Sequence, residues 1–312
     1  ELLHRPRSAS VDDVVWTHDD VPLLDEARSL LGPKPRKHKR DDDEIRTYGH
    51  IVVDEAQDVS IAQLRFLAAL AGARPNGLFF AGDLGQRIFQ QPFSWKALGV
   101  DVRGRSYTLR VNYRTSQQIR MQADRLLGPT VADVDGNVED RRGAISVISG
   151  PMPTIRMLDT QDEECNTVAQ WLLERIDDAL APEAIGVFVR SGTELDRARA
   201  AVEKAGLTYK ILDEHVTTTA GHVSISTMHL AKGLEFRAVV VMACDDEIIP
   251  LQERIESVSD QTDLEEVYNT ERHLLYVACT RAKTSLNIHY IYDLIQQLKQ
   301  KNPLKSRAIS TS

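Results

Sequence analysis

The sequence predicts an α/β fold of mostly parallel sheets with flanking helices, and three observations predict it. Short runs such as Ile51–Val53, Leu78–Ala81 and Val223–Thr227 are rich in β-branched and aromatic residues and read as strands, the first and last of them buried. Stretches of helical period lie between such runs, so strand and helix alternate along the chain. Carboxylate and amide side chains follow directly on two of the strands, at Asp54, Glu55 and Gln86. That is the sheet edge at which α/β folds bind ligands.

The first element expected is a helix over 21–31. Asp20 suits its N-cap, Pro22 its first turn, and Gly32-Pro33 its stop. Leu23, Leu24, Ala27, Leu30 and Leu31 recur at helical spacing and are expected to form its buried face. The run 34–44, basic and then acidic, reads as a solvated loop, with DNA contact as the sharper alternative. Residues 47–112 read as strand, helix and strand. A second unit begins near Tyr113. Its strands are expected at 144–148, 184–190, 208–212, 223–227, 238–242 and 285–290, and its helices at 115–127, 162–181, 192–205 and 263–282. Leu264, Val267, Leu274, Leu275 and Ala278 mark the core face of the last helix. Residues 304–312 are polar, with no core signal.

At 312 residues the chain is long enough for two ordinary domains. With 42% hydrophobic and 27% charged residues it has the composition of a soluble globular protein, and no run approaches the ~20 apolar residues of a membrane span. No signal peptide is visible, and Cys165, Cys244 and Cys279 form neither metal spacing nor a disulfide framework, which fits a reducing, cytoplasmic setting. The net charge of −8 argues against a whole-surface nucleic-acid binder but leaves room for a local basic track.

Five blocks carry the chemistry: Ile51–Asp58 (Ile-Val-Val-Asp-Glu-Ala-Gln-Asp), Gly82–Gln86, Leu109–Ser116, Ser226–Phe236 and Glu271–Ala282. In this order they resemble motifs II to VI of the superfamily-1 DNA helicases of the UvrD/Rep/PcrA type, over roughly residues 48–290. The resemblance implies a P-loop NTPase of RecA-like fold. The distal part of a first domain would occupy 1–112, a complete second domain 113–295, and a polar tail 296–312. ATP and Mg²⁺ would bind between the domains, and hydrolysis would drive 3′→5′ movement on single-stranded DNA.

Carried over block by block, the resemblance makes Asp54 the Mg²⁺ residue and Glu55 the base that orients the attacking water. Gln86 would sense the γ-phosphate; its amide both donates and accepts, though a turn-capping glutamine is the structural alternative. Tyr113 would stack on adenine and Arg114 would reach the γ-phosphate, a task suited to a guanidinium, against the alternative of a buried tyrosine with an interdomain ion pair. Gly233 turns the chain after a strand and Glu235 would take the ribose hydroxyl. Arg281 would be the arginine finger, whereas an arginine at a helix end also suits the helix dipole. Arg272 reads as structural. Thr227 and His229 would approach the DNA backbone, and Phe89 and Trp95 would stack on bases. Core burial of Phe89 stays open, because about four residues are inserted between the two aromatics.

Three departures matter. No Gly-x-x-x-x-Gly-Lys-Ser/Thr loop occurs anywhere, so the chain reads as the C-terminal part of a longer motor and is expected to turn over ATP negligibly alone. Only about ten residues separate Leu212 from Val223, too few for the family's 2B insertion. Trp16–Ala27 is similar to the matching stretch of HelD-like proteins, which implies a second reading: a remodeller whose partner is RNA polymerase, rather than a duplex unwinder. A repair factor is another conceivable partner.

Overall fold

The structure is a computed structural model that describes residues 10, 14, 16–17, 20–32, 47–72, 76–88, 94–96, 99–100, 104–128, 130–132, 135–136, 138–141, 143–246, 248–258 and 261–290. The 34–44 run, Phe89 and the tail expected over 296–312 lie outside them.

Helix α1 (Val21–Leu31) forms over the expected residues. Its expected buried face does not: Leu23 and Leu24 are about half exposed, and Leu30 and Leu31 are 80% and 86% exposed. These leucines join neither hydrophobic core among the described residues, and α1 is tied to the next helix by the surface pair Glu26–Arg65.

The first lobe is a parallel pair, β1 (Ile51–Val53) and β2 (Leu78–Phe80), connected by α2 (Ile61–Ala71). Ser60 and Gln63 form a reciprocal capping box that fixes the start of α2, and Leu64 is fully buried beneath it. β1 was expected to be a buried strand. Instead Val52 and Phe79, paired in register, are exposed, so only one face of this two-stranded sheet is covered.

The second lobe holds a six-stranded, wholly parallel sheet. Its spatial order is β7 (Thr154–Met157), β12 (Ala282–Tyr290), β11 (Phe236–Val241), β8 (Ile185–Val189), β10 (Val223–Thr227), β9 (Tyr209–Ile211). Every residue of β8 is buried, as a central parallel strand requires. One core gathers α3 (Gln117–Leu127) and α7 (Gln261–Thr280); the other gathers α4 (Gln161–Asp177) and α5 (Leu195–Lys204). The short α6 is Gln252–Glu256. Val267, Leu274, Leu275 and Ala278 of α7 are buried as their spacing predicts.

Two expectations change. The strand expected over 144–148 is β6 (Ile145–Ser146), which pairs with β3 (Val111–Asn112) in a separate two-stranded sheet. Its place at the edge of the main sheet is taken by β7, whose short Thr-Ile-Arg-Met run carries no alternation that would announce it. The antiparallel pair β4 (Thr130–Ala132) and β5 (Val138–Asp140) was likewise not foreseen. The chain is already paired with second-lobe residues at Val111, just before the expected boundary at Tyr113.

Candidate active site

The site is assembled from strand ends. Just past β1, Asp54 Oδ1 accepts the Glu55 N–H at 2.8 Å, and Glu55 takes a left-handed backbone (φ 52°, ψ 41°) that non-glycine residues seldom adopt. The turn Ala56–Asp58 then brings Gln57 back, and its amide donates to Glu55 Oε2 at 2.5 Å. Gln57 Oε1 also accepts the Asp83 N–H from the loop after β2 at 3.1 Å. Gly82 allows this approach, since a Cβ there would lie 2.4 Å from Gln57 Oε1 and 3.1 Å from the Ala56 nitrogen.

In the second loop, Asp83 accepts the Gly85 N–H and the Gln86 side-chain amide, both at 2.8 Å. With its nitrogen so engaged, Gln86 turns Oε1 outward, and Arg281 Nη2 donates to it at 2.9 Å across 195 residues of sequence. Arg281 is almost fully buried at the end of α7, and its Nε donates to the Val277 carbonyl at 3.0 Å. Burial, and then the neighbouring Arg114 charge, push its pKa down to about 10. It stays charged at neutral pH but is poorly solvated, so an anion beside it would interact strongly.

Backbone contacts set the rest. The Ser116 N–H donates to the Lys283 carbonyl at 2.8 Å and the Phe236 N–H to the Arg281 carbonyl at 3.0 Å. They draw the segments carrying Arg114, Glu235 and Arg281 around one cavity of about 200 Å³, which Arg237 and Lys283 also line. Arg114 pairs with Glu235 at 3.0 Å and donates to the Leu234 carbonyl at 2.7 Å. Tyr113 beside it is 72% exposed. Gly233 has φ +82°, a turn conformation that a side chain would strain.

Lys232 immediately precedes that turn. In the structure it crosses to the first lobe, donating to Asp58 and lying 3.3 Å from Glu55 Oε2. Gln57, Lys232 and Arg141, discussed below, are the site-region residues that sequence reasoning missed. Gln57 and Lys232 lie inside the motif blocks, which is the signal that could have flagged them; Arg141 carries no motif.

The residues expected to meet DNA are less gathered. Thr227 ends β10 and is half-buried. His229 sits near Arg190, Glu271 and Arg254, and burial is the main influence holding its pKa below the usual value. Trp95 packs on Phe80 of β2 with ring centroids 4.9 Å apart, so one partner of its ring lies within the first lobe.

Among known proteins, the family model of the UvrD/REP helicase N-terminal domain matches residues 31–94, and that of the UvrD-like helicase C-terminal domain matches 202–293. A probable DNA helicase of Mycoplasma pneumoniae is 26% identical over 258 residues, covering 76% of this chain and 42% of its own. The ATP-dependent DNA helicase Rep of Buchnera aphidicola is 37% identical over 145 residues, covering 46% of this chain and 19% of its own. The chain thus spans less than half the length of these relatives. The crystal structure of the C-terminal domain of a possible DNA helicase from Lactobacillus plantarum is similar at 21% identity and a TM-score of 0.39, over 58% of this chain and 88% of that one, a likeness too partial to bear on function. The two family models match parts of the two lobes in order; the chain carries UvrD/Rep-like superfamily-1 DNA helicase domains.

Proposed function

We propose that this chain is the C-terminal part of an ATP-dependent DNA translocase in which the nucleotide binds between the lobes, its phosphates beside the second-lobe cavity lined by Arg114, Glu235 and Arg281, and single-stranded DNA is the track. The observation that carries the reading is the Arg281–Gln86 contact, which joins a buried guanidinium of one lobe to the amide after a strand of the other. ATP as substrate is also what the names of relatives such as the Buchnera ATP-dependent helicase suggest.

In this reading water adds to the γ-phosphorus and the bridging oxygen leaves on ADP. Glu55 orients that water and accepts its proton, while Gln57 and Lys232 fix the carboxylate. Arg114 and Arg281 neutralise charge that develops on the transferred group, Gln86 reports its presence, Tyr113 offers a ring to the adenine and Glu235 an acceptor to the ribose. Mg²⁺ fits the donor set: Asp54 is a hard carboxylate with one oxygen on the Glu55 N–H, and this ion is usually held by one or two carboxylates together with substrate phosphates. When bound, it would neutralise the phosphates. Closing and opening of the lobes would move the strand past Thr227, His229 and Trp95, 3′→5′ by family likeness.

The experiment is steady-state ATPase of the full-length protein with and without single-stranded DNA. Glu55→Gln should retain nucleotide binding and lose DNA-stimulated turnover; turnover near the wild-type rate would remove Glu55 as the base. A second reading, remodelling of RNA polymerase, is favoured by the exposed leucines of α1, which suit a protein partner. Strand displacement without polymerase capture would count against it.

A further inference from the structure

Arg141 lies between β5 and β6, far from any motif block, yet is only 9% exposed. Its guanidinium makes contacts with three elements. Nη1 reaches Asp83 Oδ1 in the loop after β2 at 3.3 Å, and Nε reaches Asp124 Oδ1 of α3 at 3.2 Å. Nη2 donates to the Tyr276 hydroxyl of α7, and the guanidinium carbon stands 4.9 Å from the centre of that ring. Asp124 is held in turn by Arg120 at 2.7 Å.

Asp83 is the same carboxylate that accepts the Gln86 amide. A continuous chain of polar contacts therefore runs from Tyr276 and Asp124 through Arg141, Asp83 and Gln86 to Arg281. Gly85 supports the same reading independently, because a Cβ there would come within 2.8 Å of both Arg141 Nη1 and Leu127 Cδ1. The loop bearing Gln86 is thus packed directly onto the guanidinium.

Resting on the reading of Gln86 and Arg281 given above, we propose that Arg141 is a positioning residue: it fastens the Asp83–Gln86 loop to α3 and α7 and thereby sets the Gln86 amide against Arg281. The alternatives open to Gln86 are many, since a glutamine has three rotatable bonds, and a buried charge-assisted network selects one of them. If Arg141 acts only through Gln86, its effect must vanish when Gln86 is gone.

The test is ATPase of the full-length protein carrying Arg141→Met, Gln86→Ala or both, with DNA present. Arg141→Met should lower kcat about tenfold and leave KM for ATP within about twofold, and the double variant should be no slower than Gln86→Ala alone. Losses that multiply, or a raised KM with kcat unchanged, would overturn the proposal. Should Arg141→Met not fold, Tyr276→Phe removes one acceptor hydroxyl and takes the same readouts, with a smaller loss of kcat that again disappears in the Gln86→Ala background. A wild-type protein without ATPase activity would sink the functional reading itself, and this proposal with it. Active wild type with multiplying losses would sink this proposal alone.

Discussion

His289 is the sharpest test of the second lobe's interior. It stands near the end of β12 with no measurable exposure, and neither ring nitrogen has a hydrogen-bond partner among the described residues. Burial above all, then the Arg156 charge on the paired strand β7, hold its pKa down from 6.5 to about 4. The unfolded chain therefore binds a proton in a range where the folded chain refuses it. The stability tied to the neutral ring is present above pH 6.5 and is lost as pH falls toward 4. Between pH 7 and pH 5 this amounts to about 2 kcal/mol for the one residue. His289→Leu keeps the volume and abolishes the titration. Urea unfolding, followed by fluorescence of the buried Trp171, should then show the variant losing about 2 kcal/mol less than wild type over that interval. His273, whose pKa is also lowered to about 4, titrates in both proteins and cancels. Equal losses in the two proteins would refute a neutral, unpaired His289.

Two further outcomes are expected. Glu271 of α7 has a fully buried side chain and takes Arg190 bidentately at 2.5 and 2.6 Å, with Arg254 at 3.2 Å. Glu271→Gln would strand the buried Arg190 charge and should cost about 3–5 kcal/mol at neutral pH by urea titration; a loss below about 1 kcal/mol would contradict it. Arg281→Ala in the full-length protein should cut kcat about 10²-fold and leave KM for ATP little changed, because a group facing developing charge acts mainly on the transition state; raised KM with intact kcat would place Arg281 in ground-state binding.

Local signals made much of this legible beforehand. Helices α4 and α7 announce themselves by period, strands β8 and β11 by consecutive apolar residues, and β10 by its alternating Val-Ser-Ile-Ser-Thr. The five blocks stood out by their ordered resemblance to one helicase family, the first two of them beside expected strand ends. What the sequence could not disclose were partners chosen by the fold. Lys232 reaches Asp58 across 174 residues and Arg141 reaches Asp83 across 58, and neither separation has a period. The leucines of α1 show the converse limit. Helical spacing states which side chains share a face, but burial needs an opposing surface, and none of the described residues packs those leucines into a core.

The electrostatics of the second-lobe cavity bear on how such a chain could draw in a triphosphate. The sequence carries a net charge of −8, so its average field repels polyanions. The cavity inverts that sign locally: Arg114, Arg237, Arg281 and Lys283 line it against the single carboxylate Glu235. Glu235 engages Arg114, and Gln86, which is neutral, engages Arg281, so the lining's positive charge exceeds what its own partners cancel. In the proposed reading an arriving phosphate competes with Glu235 for Arg114, while Arg281 keeps the Gln86 contact until charge develops in the transition state, in the geometry that Asp83 and Arg141 hold.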